Sequence, residues 1–204
     1  MFDLHEPQSS ASVLNSRLPS RFFFFALQKA LNLIDEFKSN KMKSIYFVRH
    51  AKSSWDHPTL RDIERPLEAR GLKDAPFMAK VLKNKGVVPD YWLSSPAVRA
   101  YSTALFFADA FETDRSEVQL QPRIYEAFPE DIFEIIRKLP PEAKTVLMFG
   151  HNPTWTNIAN RFSRKHIDNV PTCGIFKVEA PVDSWQDFKA PEAVLTEFHY
   201  PKQY

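Results

Sequence analysis

The chain has 204 residues, of which 44% are apolar and 25% charged, and its formal net charge is +2. This suits one ordinary globular domain with a real core and argues against a largely disordered chain. The small charge and the lack of a dense Lys/Arg stripe give no reason to expect a nucleic-acid partner, no apolar run approaches the ~20 residues needed to span a membrane, and the single Cys173 excludes an internal disulfide and fits a reducing, cytoplasmic setting.

Residues 1–41 differ from the rest. A polar, Ser- and Pro-rich stretch leads into Phe22-Phe23-Phe24-Phe25-Ala26-Leu27 and then a helix-like run to Phe37. The basic residues before a short apolar run resemble a leader only in part, since Asp35 and Glu36 follow soon after and no small-residue cleavage site is evident. The expectation is a non-catalytic N-terminal extension over 1–41, possible to read as an organellar leader or as a segment that docks or stays loose, with the working domain over 42–204.

From Met42 onward strands and helices alternate. A buried strand is expected over 44–48 (SIYFV), then a helix over 66–85 with Leu72, Ala75, Met78, Ala79 and Leu82 on one face. A short strand at 90–94 precedes a helix at 96–111. A strand at 118–125 precedes a helix at 129–139. Another buried strand, 145–149 (TVLMF), precedes a helix at 152–162, and strands at 175–180 and 194–199 close the chain. Such alternation predicts an α/β fold with a mostly parallel central sheet, the last two strands forming an antiparallel addition at an edge.

Three strand ends carry polar residues. The first reads Arg49-His50-Ala51-Lys52-Ser53-Ser54-Trp55-Asp56. The second reads Ser94-Ser95-Pro96-Ala97-Val98-Arg99, with Ser95 placed as an N-cap and Pro96 at the first helical position. The third reads Gly150-His151-Asn152-Pro153, where Asn152-Pro153 starts a helix by the same logic. Taken singly, each has a plain alternative: a basic pair closing a strand, a capped helix with a solvent arginine, a histidine satisfied in the core. Taken together they differ, because ligands of open parallel sheets bind outside the carboxyl ends of the strands, and these three ends can meet there. Two arginines and two histidines suit phosphoryl transfer. Guanidinium forks bind the charged equatorial oxygens, and a neutral imidazole can attack in line. The four glycines are dispersed, which excludes a glycine-rich phosphate loop. No Cys/His or carboxylate cluster has metal spacing, so no metal or other cofactor is expected.

The pieces RHAKSSWD, SSPAVRAYSTA, IYEA and GHNP resemble the histidine phosphatase superfamily, marked by an Arg-His pair after the first strand (the RHG motif). Within it they are most similar to the short branch of SixA-type phosphohistidine phosphatases, as are Asp62-Ile63-Glu64-Arg65-Pro66-Leu67 and Pro171-Thr172-Cys173-Gly174. The resemblance covers Met42 to about Lys202. It implies a single-domain, three-layer α/β/α sandwich of the phosphoglycerate mutase-like type. It also implies a metal-independent phosphatase with His50 as the phosphorylated nucleophile and Arg49, Arg99 and His151 around the phosphate. Ser53 would lie near the phosphate. Glu126 falls where a proton donor sits in many members, although a structural role for it stays open. Asp56 stands where the mutase branch has Asn, and faces away, pairs with Lys52 or donates a proton. The four remaining histidines are assigned to solvent or structure.

The short gaps between elements favour an open site and a phosphorylated protein side chain, phosphohistidine first. A small phosphate ester is the alternative substrate, and a phosphate-binding module without turnover is the alternative of a different class. No oligomeric state is read from the sequence.

Overall fold

Six runs rich in β-branched, aromatic and aliphatic residues form one sheet, whose central strands have both faces covered while the two edge strands stay partly exposed. The computed structural model describes residues 24, 25, 27–29, 42–188 and 192–204. The chain divides into two units, Met1–Ser39 and Asn40–Tyr204. In the first, Phe24, Phe25, Leu27, Gln28 and Lys29 are helical and exposed. The rest of the proposed extension, with its leader-like features, lies outside the described residues, as does Pro191.

The second unit contains β1 (Met42–Arg49), α1 (Ala69–Asn84), β2 (Tyr91–Ser94), α2 (Val98–Phe111), β3 (Val118–Leu120), α3 (Pro129–Ile136), β4 (Thr145–Gly150), α4 (Thr154–Phe162), β5 (Ile175–Pro181) and β6 (Val194–His199). The sheet order is β3-β2-β4-β1-β5-β6. Strands β1 to β4 run parallel, whereas β5 is antiparallel to β1 and β6 to β5. The edge addition expected from sequence is therefore present.

The period-two pattern sorts the core. Ile45, Phe47, Val146 and Met148 face one cluster with Ile132, Ile136, Trp155 and Ile158 of α3 and α4. Tyr46, Val48, Leu147 and Phe149 face the other, with Met78, Leu82, Ala104 and Phe107 of α1 and α2. Helices thus lie on both faces, making three layers.

Several boundaries differ from the sequence expectation. Helix α1 begins at Ala69 rather than Pro66, and Leu72, expected on its apolar face, is half exposed. In that first turn Gly71 packs against the backbone of Lys52, too closely for any Cβ. The expected strand at 118–125 stops at Leu120 and gives way to a 3-10 turn, Pro122–Ile124. Helix α3 ends at Ile136, short of Leu139. The starts of α2 and α4 move by about one half-turn, and those shifts matter to the site.

Candidate active site

Strands β2, β4 and β1 are neighbours, with Ser94 opposite Phe149 and Arg49 opposite Gly150. Their three carboxyl ends therefore deliver Ser95, His151 and His50 to one edge of the sheet. The backbone there is tightly tied. His50 N–H donates to the Gly150 carbonyl (3.0 Å), and the His50 carbonyl accepts from Cys173 N–H (3.1 Å). Ala51 N–H donates to Thr103 Oγ1 (3.0 Å), which donates to the Arg99 carbonyl (2.7 Å). The 171–174 segment thus braces the strand end. Position 51 is alanine, so the RHG motif is matched at two of its three places.

His50 keeps 8% of its surface exposed. Its Nδ1 lies 2.8 Å from the Ala51 carbonyl. A carbonyl only accepts, so Nδ1 carries the proton and Nε2 keeps its lone pair. Among the described residues Nε2 has no hydrogen-bond partner. Burial pushes the pKa of His50 down to about 3; the Ala51 bond opposes this, and Arg99, Arg49 and Arg65 add to it. The ring is neutral at physiological pH.

The His151 ring stands 5.1 Å from that of His50, centroid to centroid. Its Nε2 is 2.8 Å from Ser95 Oγ, which also accepts from Ala97 N–H (3.3 Å). With that hydroxyl's proton directed to Nε2, the His151 proton sits on Nδ1, which is buried without a protein partner. Burial, then the proximity of His50 and Arg99, holds the His151 pKa well below its ordinary value. Here the sequence expectation is corrected. Ser95 does not cap α2; Ala97 precedes the first turn and no side chain caps it. The Ser95 hydroxyl is committed to His151 instead. Likewise Asn152 does not cap α4, whose N-cap is Pro153; Asn152 Nδ2 donates to Asn169 Oδ1 (2.7 Å) and the Val170 carbonyl (3.1 Å).

Arg99, 7% exposed, lies in the first turn of α2. It donates from Nη2 to Asp62 Oδ2 (2.8 Å) and from Nη1 to the Asp62 carbonyl (2.6 Å). Arg65 donates to Asp62 Oδ1 (2.8 Å), Ser53 Oγ (2.9 Å) and the Ser54 carbonyl (3.0 Å). Tyr125 OH adds a third donor to Asp62 (3.0 Å). Burial alone would raise the Asp62 pKa, but the bonds from Arg65, Tyr125 and Arg99 outweigh it and hold the carboxyl at about 2. Arg49 donates from Nη1 to the Val170 carbonyl (2.6 Å) and Asn169 Oδ1 (3.3 Å), leaving Nε buried without a partner.

A cavity of about 520 Å³ opens on this edge, lined among others by His151, Arg99, Arg65, Asp62, Tyr125 and Glu126. Glu126 is exposed on its wall in a left-handed backbone, φ 57°. Ser53 is buried and meets the site only through Arg65. Asp56 accepts from the Ser54 hydroxyl (2.9 Å) rather than pairing with Lys52. Arg65, Asp62, Tyr125 and the Ser95 contact carried no assigned role in the sequence, since a charged loop segment usually lies in solvent. Among the described residues no group of His, Cys, Asp and Glu could hold a metal ion, and no helix is long and apolar enough to cross a membrane.

The model of the histidine phosphatase superfamily, branch 1, matches residues 45–134. An uncharacterized chloroplastic protein of Arabidopsis thaliana is 31% identical over 171 residues, covering 77% of each chain. This chain belongs to the histidine phosphatase superfamily. The superfamily takes its name from its phosphatases, and the solved structures agree in fold. A protein described as the phosphohistidine phosphatase SixA of Agrobacterium tumefaciens is 26% identical, with a TM-score of 0.65 over 78% of this chain and 98% of that one. The protein histidine phosphatase SixA bound to tungstate, at 20% identity, superimposes with a TM-score of 0.67 over the same shares. The superfamily fold is thus the phosphoglycerate mutase-like sandwich expected from the sequence.

Proposed function

We propose that this superfamily member removes phosphate from protein phosphohistidine through a covalent intermediate on His50. The observation that carries the proposal is the fixed tautomer of His50: its proton is held on Nδ1 by Ala51, its Nε2 keeps a lone pair, and its ring stands 5.1 Å from that of His151. In the first step Nε2 forms a bond to phosphorus as the bond to the leaving nitrogen breaks. A substrate imidazole protonated on its far nitrogen departs neutral, so no acid has to act at the breaking bond. The positive charge passes to the His50 ring, where Nδ1–H to Ala51 stabilises it. In the second step water attacks phosphorus and the electron pair of the P–N bond returns to Nε2. Both water protons leave with the product as dihydrogen phosphate. Arg49, Arg99 and the Nδ1–H of His151 hold the phosphoryl oxygens in both steps, with electrostatic stabilisation supplying most of the rate. Ser95 is the positioning residue for His151, and Ser53 for Arg65.

A second substrate, a small phosphomonoester, is favoured by one feature. Glu126 lines the same cavity, where it can protonate a departing alcohol. The lone, buried Cys173 supports a reducing compartment such as the cytoplasm.

The test uses the full chain with EDTA present and a phosphohistidine-bearing protein as substrate. Expected are turnover and an acid-labile, radiolabelled phosphoenzyme, both lost in His50→Ala. Label that persists on His50→Ala would reassign the nucleophile. Turnover confined to small esters would replace the substrate.

A further inference from the structure

The two most exposed aromatic rings among the described residues of the second unit are Phe128 (73%) and Trp55 (72%), and both lie on the rim of the same cavity. An exposed ring normally costs solubility without return, so two flanking one concave site point to a ligand. The Trp55 ring and the Phe128 backbone are each held in place. The Arg65 guanidinium lies over one face of Trp55, 3.2 Å from the ring centroid, and Arg65 is itself fixed by Ser53, Ser54 and Asp62. That contact leaves the opposite face of the indole open. Phe128 is the N-cap of α3, with its N–H bonded to Asp131 Oδ2 (2.9 Å) and Pro129 next in the chain. Its ring stacks on no other aromatic side chain of the described residues. The two platforms come from separate segments, the loop after β1 and the start of α3, and the phosphate-binding groups Arg99 and His151 line the same cavity.

We propose that Trp55 and Phe128 form a stacking subsite for a planar aromatic leaving group, so that the site prefers phosphorylated rings, the imidazole of phosphohistidine foremost, over phosphate on an aliphatic hydroxyl. This inference rests on the phosphatase assignment above and names the residues that select its substrate. Flat π faces are matched by flat π faces, and a ring already held in place, as Trp55 is by Arg65, loses little entropy on stacking against one. An aliphatic phosphoserine or sugar phosphate has no ring to place there.

The test separates ring recognition from chemistry by using phosphonates, which cannot transfer their phosphoryl group. Calorimetry with the full chain compares phenylphosphonate with methylphosphonate. Wild type is expected to bind the phenyl compound about tenfold more tightly, the range of a good aromatic contact. Phe128→Ala should bring that ratio towards one, and Phe128→Tyr should restore it. No cation lies over the Phe128 ring among the described residues and its bond to Asp131 is made by the backbone N–H, whereas Trp55→Ala also frees Arg65, so Phe128 is the primary variant. A wild-type ratio near one, or a tenfold ratio that survives Phe128→Ala, overturns the subsite. Binding is read without turnover. An intact ring preference in a protein that never forms phosphoenzyme would sink the catalytic assignment and leave the subsite standing.

Discussion

Arg99, which lines the cavity floor, and His50, whose ring stands beside that of His151, keep 7% and 8% of their surface exposed, whereas Trp55 and Phe128 at the cavity rim keep 72% and 73%. The floor is held from several sides: strand neighbours, the 171–174 segment, Thr103 and Ser95 all bond to it. The rim stands on two short segments and meets solvent. Phosphoryl transfer needs donors fixed before the reaction starts, and the phosphoryl group is the same in every substrate. The leaving group varies, and in the proposed subsite it is the exposed part that meets it. On that proposal rate falls to the buried floor and choice of substrate to the rim.

The largest effect that could break this division is at Arg99. Arg99→Ala is expected to lower kcat by roughly 10²–10³, the usual cost of one charge-stabilising donor, and by the same factor for phosphohistidine and for small esters. A loss confined to one substrate would show that the floor also selects. A smaller effect concerns the neutral histidines. The folded-state pKa of His50 is about 3, below the ordinary value of 6.5, and that of His151 is lowered too. Unfolding below pH 6.5 therefore takes up protons. The stability these groups contribute is fully present above that pH and is lost as pH falls towards 3. The melting temperature should fall across that window, and His50→Asn should flatten the slope. Nitrogen chemical shifts should show His50 protonated on Nδ1 alone at pH 5. A midpoint near 6.5 for His50 would show that the site does not depress its pKa.

The parts of this design differ in how visible they are along the chain. The strands were legible because each is a short apolar run whose period is local. Arg49, His50 and His151 stood out as candidates because each sits at or just past the end of such a run, and Arg99 because it opens the helix that follows β2. Arg65 and Asp62 were not. Their partners Ser53, Arg99 and Tyr125 are 12 to 63 positions away, and only the fold of the loop after β1 brings them together. Ser95 was misread for a related reason. Serine before proline is a good local cap, but His151, 56 positions away, competes for its hydroxyl. Tertiary contacts decided between two uses of one side chain.

The smallest expected effect separates the two glutamates held in left-handed backbone. Glu112 (φ 58°) ends α2, far along that helix from Arg99, and Glu126 (φ 57°) is on the cavity wall. Each conformation strains a residue with a Cβ and suits glycine. At a helix end glycine is the common choice, so Glu112→Gly should raise stability by about 1 kcal/mol, since its exposed pair with Lys83 contributes little. Chemical denaturation measures this, and phosphatase activity should not change. Glu126→Gly should gain a similar amount, about 1 kcal/mol, yet lose turnover of small phosphomonoesters while keeping more of its turnover of phosphohistidine, whose leaving group needs no added proton. That split would explain why a strained carboxylate persists at the wall. Equal losses on both substrates would instead make Glu126 a structural part of the cavity, and unchanged activity on both would leave its strain without a use.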